Sequence, residues 1–111
     1  MINCYADRVF HALADGNRRT LIERLTRGPA TVSELAGEIG VTLAATVQHL
    51  QVLQDSRLVQ SEKVGRVRTC QIDPVGLRTA EAWVQRQRTM WEHRLERLGA
   101  VLDSQDEETN S

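Results

Sequence analysis

Aromatic side chains are scarce in this 111-residue chain: two Trp, one Tyr and one Phe, 4% in all. The apolar fraction is still 41%, so any core must be built from Leu, Val and Ala, which suits helices packed on helices. Cysteine is nearly absent too. Cys4 and Cys70 are too few for a disulfide scaffold and point to a reducing, intracellular setting. No apolar run approaches the roughly 18 residues of a membrane span, and no charged-then-apolar leader opens the chain. The expectation is a cytoplasmic protein without a membrane partner. Catalytic patterns are missing as well: there is no Gly-rich phosphate loop and no Ser/Cys–His–acid order, and His11, His49 and His93 fall on three separate helical segments. Neither an enzyme, a cofactor nor a bound metal is expected.

Lysine is reduced to Lys63; every other basic residue is Arg, whose fork pairs with phosphates and guanine edges as well as with surface carboxylates. The formal charge of −1 hides an uneven distribution. Asp103, Asp106, Glu107 and Glu108 crowd residues 103–111, which hold no base, so residues 1–102 are net basic. At this length one domain is expected over 1–102, with 103–111 as an acidic, disordered tail.

The spacing predicts a first helix over Tyr5–Ala14, broken at Asp15-Gly16-Asn17, and a second over Arg18–Arg27 with Asn17 as its N-cap. Gly28-Pro29 stops it. Thr31–Ile39 follows, with Glu34 three residues after Thr31 and Val32, Leu35, Ala36 and Ile39 at i, i+3, i+4, i+7. Gly40-Val41-Thr42 is a tight link to a fourth helix, Leu43–Ser56, capped by Thr42. Val59–Val64 and Val67–Ile72 read as two strands around Gly65-Arg66, a loop suited to a type II′ hairpin. Asp73-Pro74 is an N-cap followed by Pro at the first helical position, and nothing breaks that helix until Gly99. Ending near Leu102, it would extend ~43 Å at 1.5 Å per residue. This order is mainly α: a winged helix-turn-helix with a two-stranded wing and flanking N- and C-terminal helices for dimerisation.

Such a fold offers its fourth helix to the DNA major groove. Stepping 100° per residue puts Thr46, Leu50 and Leu53 inward with His49, a half-buried structural residue, at the edge. Ala44, Gln48, Gln51 and Asp55 face outward, with Val47 on the flank near Leu43. Candidate DNA contacts are therefore Thr42, Leu43, Ala44, Val47, Gln48 and Gln51; Gln suits adenine and Val47 a thymine methyl. In the hairpin, alternation puts Val59, Ile72, Cys70, Lys63 and Arg68 on one face. Cys70 thereby reads as a buried hydrophobe, while Lys63 and Arg68 oppose each other. That like-charge pair is unfavourable without a compensator; with Arg66 in the turn, a phosphate backbone or an adjacent minor groove supplies one. The last helix repeats Leu77, Val84, Trp91 and Leu98 every seven residues, extended by Leu95 and Leu102. With Val9 of the first helix it forms the candidate surface for a homodimer, whose two recognition helices would sit about one DNA turn, ~34 Å, apart.

These segments resemble the ArsR/SmtB family of winged-helix repressors over roughly residues 5–102: Val9-Phe10-His11-Ala12-Leu13-Ala14-Asp15 with Arg18-Arg19, Val32-Ser33-Glu34-Leu35-Ala36, Gln48-His49-Leu50 with Val52-Leu53, and Leu58-Val59. The run from Trp91-Glu92 through Arg94-Leu95 to Arg97-Leu98 looks like the subgroup found beside genes for START-like proteins. The resemblance implies a homodimer that represses its own operon from a palindromic, inverted-repeat operator on double-stranded DNA, in some members releasing it on binding a metal or another effector. The family's metal sensors carry a Cys-x-Cys where this chain has Glu34-Leu35-Ala36-Gly37-Glu38. Its last-helix sites need an Asp-x-His upstream of His93 and Glu96, where Ala80 and Ala82 stand. Val47 replaces a frequent Ser, Thr46 a usual Val, and Arg57 a common turn Gly, which places Arg57 in the left-handed region. A metal-independent repressor with no identified effector is the expectation. Its alternatives are a thiol- or metalloid-responsive switch through Cys4 and Cys70, and a winged-helix interaction module that does not bind DNA.

Overall fold

A computed structural model describes residues 4–110, with side chains described from Tyr5 to Asp103. Its elements run α1 (Cys4–Leu13), α2 (Gly16–Leu25), β1 (Ala30–Thr31), α3 (Val32–Ile39), α4 (Leu43–Asp55), β2 (Val59–Val64), β3 (Val67–Ile72) and α5 (Pro74–Asn110). The chain divides after Ala80 into two compact units. The first is the winged helix-turn-helix; the second is the continuation of α5.

The caps explain most of the boundaries. Asp15, not Asn17, caps α2: its Oδ1 accepts from Asn17 N at 2.8 Å and Arg18 N at 3.1 Å. Both residue types cap well, but a carboxylate also meets the positive end of the helix dipole. Helix α2 therefore starts at Gly16 and stops at Leu25, two residues before the expected Arg27. The Thr31 hydroxyl accepts from Glu34 N at 3.1 Å and that of Thr42 from Ala45 N at 3.2 Å, fixing the starts of α3 and α4. Between them Gly40 turns the chain at φ 74°, where a Cβ would be strained.

The sheet has one strand more than expected. Ala30 pairs with Cys70 and Thr31 with Thr69, giving the antiparallel order β1-β3-β2. Two residues carry no periodicity, so β1 has no sequence signature. Its effect is to pin the start of α3 beside the wing. The hairpin register is the expected one, from Val59↔Ile72 to Val64↔Val67 with Lys63↔Arg68 near the tip. Gly65 has φ 63° while Arg66 stays at negative φ, as a type II′ turn requires.

The core gathers Val9, Ala12, Leu21, Leu25, Leu35, Leu50, Leu53, Leu58, Val59 and Cys70, with Val32 and Ile39 packed against it. Each fully buried Leu contributes about 1.5–3 kcal/mol. Thr46 is buried as well, and its hydroxyl donates to Thr42 O at 2.9 Å, so the residue in the place of a Val leaves no unpaired polar atom. Val9 corrects an expectation: at 0% exposure it packs in the core with Ala12 rather than standing on the surface.

Where α4 meets β2 and α5, the backbone is tight. Arg57 is left-handed at φ 61°, and its Nε donates to Asp73 Oδ2 at 3.0 Å. Asp73 Oδ1 caps α5 by accepting from Val75 N at 3.1 Å, and Gly76 N donates to Arg57 O at 2.8 Å. A Cβ on Gly76 would lie 2.5 Å from Ser56 O and 2.7 Å from Arg57 O, so only Gly fits.

In the second unit, Val84, Trp91, Leu95, Leu98 and Leu102 are exposed along α5, as is Leu77 in the first turns of that helix. The expected end near Leu102 is not marked by a break. Gly99 is accommodated inside the helix, no Pro follows, and α5 continues to Asn110. Among the described residues no helix is long and apolar enough to cross a membrane.

Candidate nucleic-acid interface

Helix α4 presents two faces because its inward positions recur at helical spacing. Thr46, Leu50 and Leu53 are buried, His49 is half-buried, and Thr42, Leu43, Ala44, Val47, Gln48 and Gln51 are all exposed. Packing on α3 and α2 holds the outward row in place. His49 is tied back to α2, its Nδ1 lying 3.4 Å from Arg18 Nη1. Arg18 also reaches the last carbonyls of α1, donating to Ala12 O at 2.7 Å and His11 O at 3.2 Å. This basic residue of the expected second helix is therefore structural.

A groove of about 650 Å³ separates α4 from the wing. Leu43, Val47 and Gln51, spaced i, i+4, i+8, line one wall; Lys63, Arg66 and Arg68 line the other. The three cations and half of the recognition-helix candidates thus share one cleft. Thr42, Ala44 and Gln48 are exposed but outside that lining, and the Thr42 hydroxyl is already engaged as a cap. Ser33, Gln54 and Val67 line the groove without having been singled out in the sequence. Gln54 could have been found, since it stands one turn beyond Leu50 and Gln51; Ser33 could not, because its place depends on β1.

Polar bonds order this cleft. Ser61 Oγ donates to Gln54 Oε1 at 3.2 Å, joining wing to helix, and Arg68 Nη1 donates to Ser61 Oγ at 3.3 Å. Gln51 Nε2 donates to Asp55 Oδ1 at 2.9 Å; an ionised carboxylate only accepts, so the amide orientation is fixed by chemistry. The bond to Ser61 orients Arg68, and among the described residues no carboxylate forms an ion pair with Arg68 or with Lys63 opposite it.

The remaining titratable groups offer little chemistry. Cys70 is wholly buried, and desolvation pushes its thiol up, against a weaker downward pull from Arg68; reactive cysteines have the opposite setting. Cys4 has its side chain outside the described residues. His93 Nδ1 lies 4.0 Å from Glu96 Oε2 on an exposed stretch of α5. Among the described residues no three His, Cys, Asp or Glu side chains gather as a metal site would need.

Comparison with known proteins agrees with this geometry. Residues 13–62 match the model of a helix-turn-helix domain. The chain is 40% identical over 103 residues to the HTH-type transcriptional regulator Rv2034 of Mycobacterium tuberculosis, covering 93% of this chain and 94% of that protein. An ArsR family transcriptional regulator of known crystal structure, RHA00566, is 43% identical with a TM-score of 0.74, over 79% of this chain and 91% of the other. The homodimeric winged helix-turn-helix DNA-binding domain of Mb0332 from Mycobacterium bovis is 28% identical with a TM-score of 0.62, over 80% and 81%. These relatives are regulators of transcription rather than enzymes, and the chain belongs, with RHA00566, to the ArsR family of winged helix-turn-helix transcriptional regulators.

Proposed function

We propose that this regulator is a metal-independent repressor, active as a homodimer on an inverted-repeat operator of its own operon. The observation that carries the reading is the single groove shared by the outward row of α4 and by Lys63, Arg66 and Arg68. A helix enters the roughly 12 Å wide major groove, and cations across the cleft from it meet phosphates or the next minor groove. The dimer is supported by the exposed Val84, Trp91, Leu95 and Leu98 of α5 and by the homodimeric Mycobacterium bovis relative. Two-fold pairing places two recognition helices on successive half-sites, and occupancy of the operator excludes polymerase. Metal independence is supported by Ala36 and Glu38 in α3, which lack the sulfur donors of the family's metal sensors, and by Ala80 and Ala82 in α5, which lack their carboxylate and imidazole donors.

The test is a gel shift with the protein's own upstream DNA across a range of salt, with and without zinc. Salt-dependent retardation, weakened by combined Lys63→Ala, Arg66→Ala and Arg68→Ala and indifferent to zinc, supports the reading. Unaltered affinity of the triple variant removes the wing from it.

A further inference from the structure

We infer that Leu43 and Val47 read thymine C5-methyl groups, so that each half-site carries A·T pairs beneath the first turns of α4. The inference rests on the DNA-binding reading above and adds the chemistry of the bases. Leu43 is 54% and Val47 51% exposed, and both stand on the groove wall facing Lys63, Arg66 and Arg68. Single exposed apolar residues are ordinary on any surface; two of them, one turn apart on the wall of a cation-lined cleft, are not. The cations select a polyanion as occupant. Among the groups a duplex exposes in its major groove, the thymine methyl is the one with an apolar surface to offer. Four residues along a helix advance about 6 Å, against 3.4 Å per base step, so the two side chains cover methyls one to two steps apart. Burial of a methyl against each removes apolar surface from water on both partners.

The position of Gln51 supports this division of labour. It continues the same row, and its amide is anchored by Asp55 at 2.9 Å. A polar base contact then follows the two apolar ones, the carbonyl oxygen accepting from an adenine or cytosine amine.

The experiment begins with selection of duplexes from a random library by the full-length protein, followed by affinity measurements in which each thymine of the selected site is replaced by uracil. Loss of one methyl at a contacted position is expected to weaken binding about four-fold, at one or two positions per half-site. The same substitutions should have no effect in a Leu43→Ala, Val47→Ala variant, whose exposed positions leave the core intact. Equal affinity for thymine and uracil duplexes, or an equal uracil penalty in the variant, overturns the inference while leaving DNA binding in place. A library from which nothing is enriched overturns both.

Discussion

Ser61, on the inward face of the wing, donates its hydroxyl to the Gln54 amide oxygen of the recognition helix across 3.2 Å. With Arg68 held on the same hydroxyl, the bond ties together the helix and the wing that line the cleft. A neutral, part-exposed hydrogen bond of this kind contributes about 1 kcal/mol. Ser61→Ala should therefore lower operator affinity about three- to five-fold and move the melting temperature by only a few degrees. Titration of the variant by fluorescence anisotropy checks this, and an unchanged Kd would mean that the wing is positioned by the sheet alone.

Gly76 carries a sharper consequence for stability. A methyl there would meet the Ser56 and Arg57 carbonyls at 2.5 and 2.7 Å, so Gly76→Ala should cost about 1–3 kcal/mol through forced backbone movement. Gly37, in the middle of α3, has nothing within 4 Å of its Cβ position, and Gly37→Ala should stabilise by about 0.5–1 kcal/mol. Urea unfolding of the two variants side by side distinguishes contact from propensity. Equal effects would refute the crowding assigned to Gly76.

The acid limb of stability should depend on Asp73. Burial pushes its carboxyl up, but the Val75 N–H and the Arg57 guanidinium outweigh that and hold it below the ordinary Asp value. Asp15 is lowered too, first by the Arg18 N–H. A carboxyl depressed in the folded state stabilises fully above its unfolded pKa, about 3.9, and that stabilisation is lost as the pH falls through the lower folded value. Stability should thus decline below about pH 4. Asp73→Asn should be less stable at pH 6 and lose less of its remaining stability between pH 6 and pH 3. Parallel curves for variant and parent would show that the Arg57–Asp73 pair carries no linkage.

On α5, Trp91 is 66% and Leu95 64% exposed, and both lie on the heptad stripe. Trp91→Glu with Leu95→Glu should convert a dimer to a monomer with helicity retained, as sedimentation and circular dichroism report. A variant that keeps the dimer mass would move the partner surface elsewhere.

Much of the fold was legible because local signals and packing agree: the caps Thr31 and Thr42, the inward Thr46, Leu50 and Leu53, and the register around Gly65-Arg66 all follow from periodicity and turn chemistry. Most of what was not legible depended on long-range pairing. The two-residue β1 has no pattern of its own, yet it brings Ser33 into the cleft. Asp15 and Asn17 are both good caps, and the choice between them is electrostatic. The apolar side of α1 that holds Val9 fits a partner surface or the chain's own core equally well by sequence, and only the packing around Val9 shows that it is core. At the candidate site the wing cations and the Leu43–Val47–Gln51 row were readable. That Gln54 joins the wing through Ser61 was not, since it depends on how closely the hairpin approaches the helix.

Hydroxyl-radical footprinting of the upstream DNA, at increasing protein concentration, tests the central claim most directly. The account predicts two symmetric protected patches about 10 base pairs, one helical turn, apart, which disappear together in the Lys63, Arg66 and Arg68 triple alanine variant. A single patch, patches without two-fold symmetry, or protection that the triple variant leaves intact would contradict it.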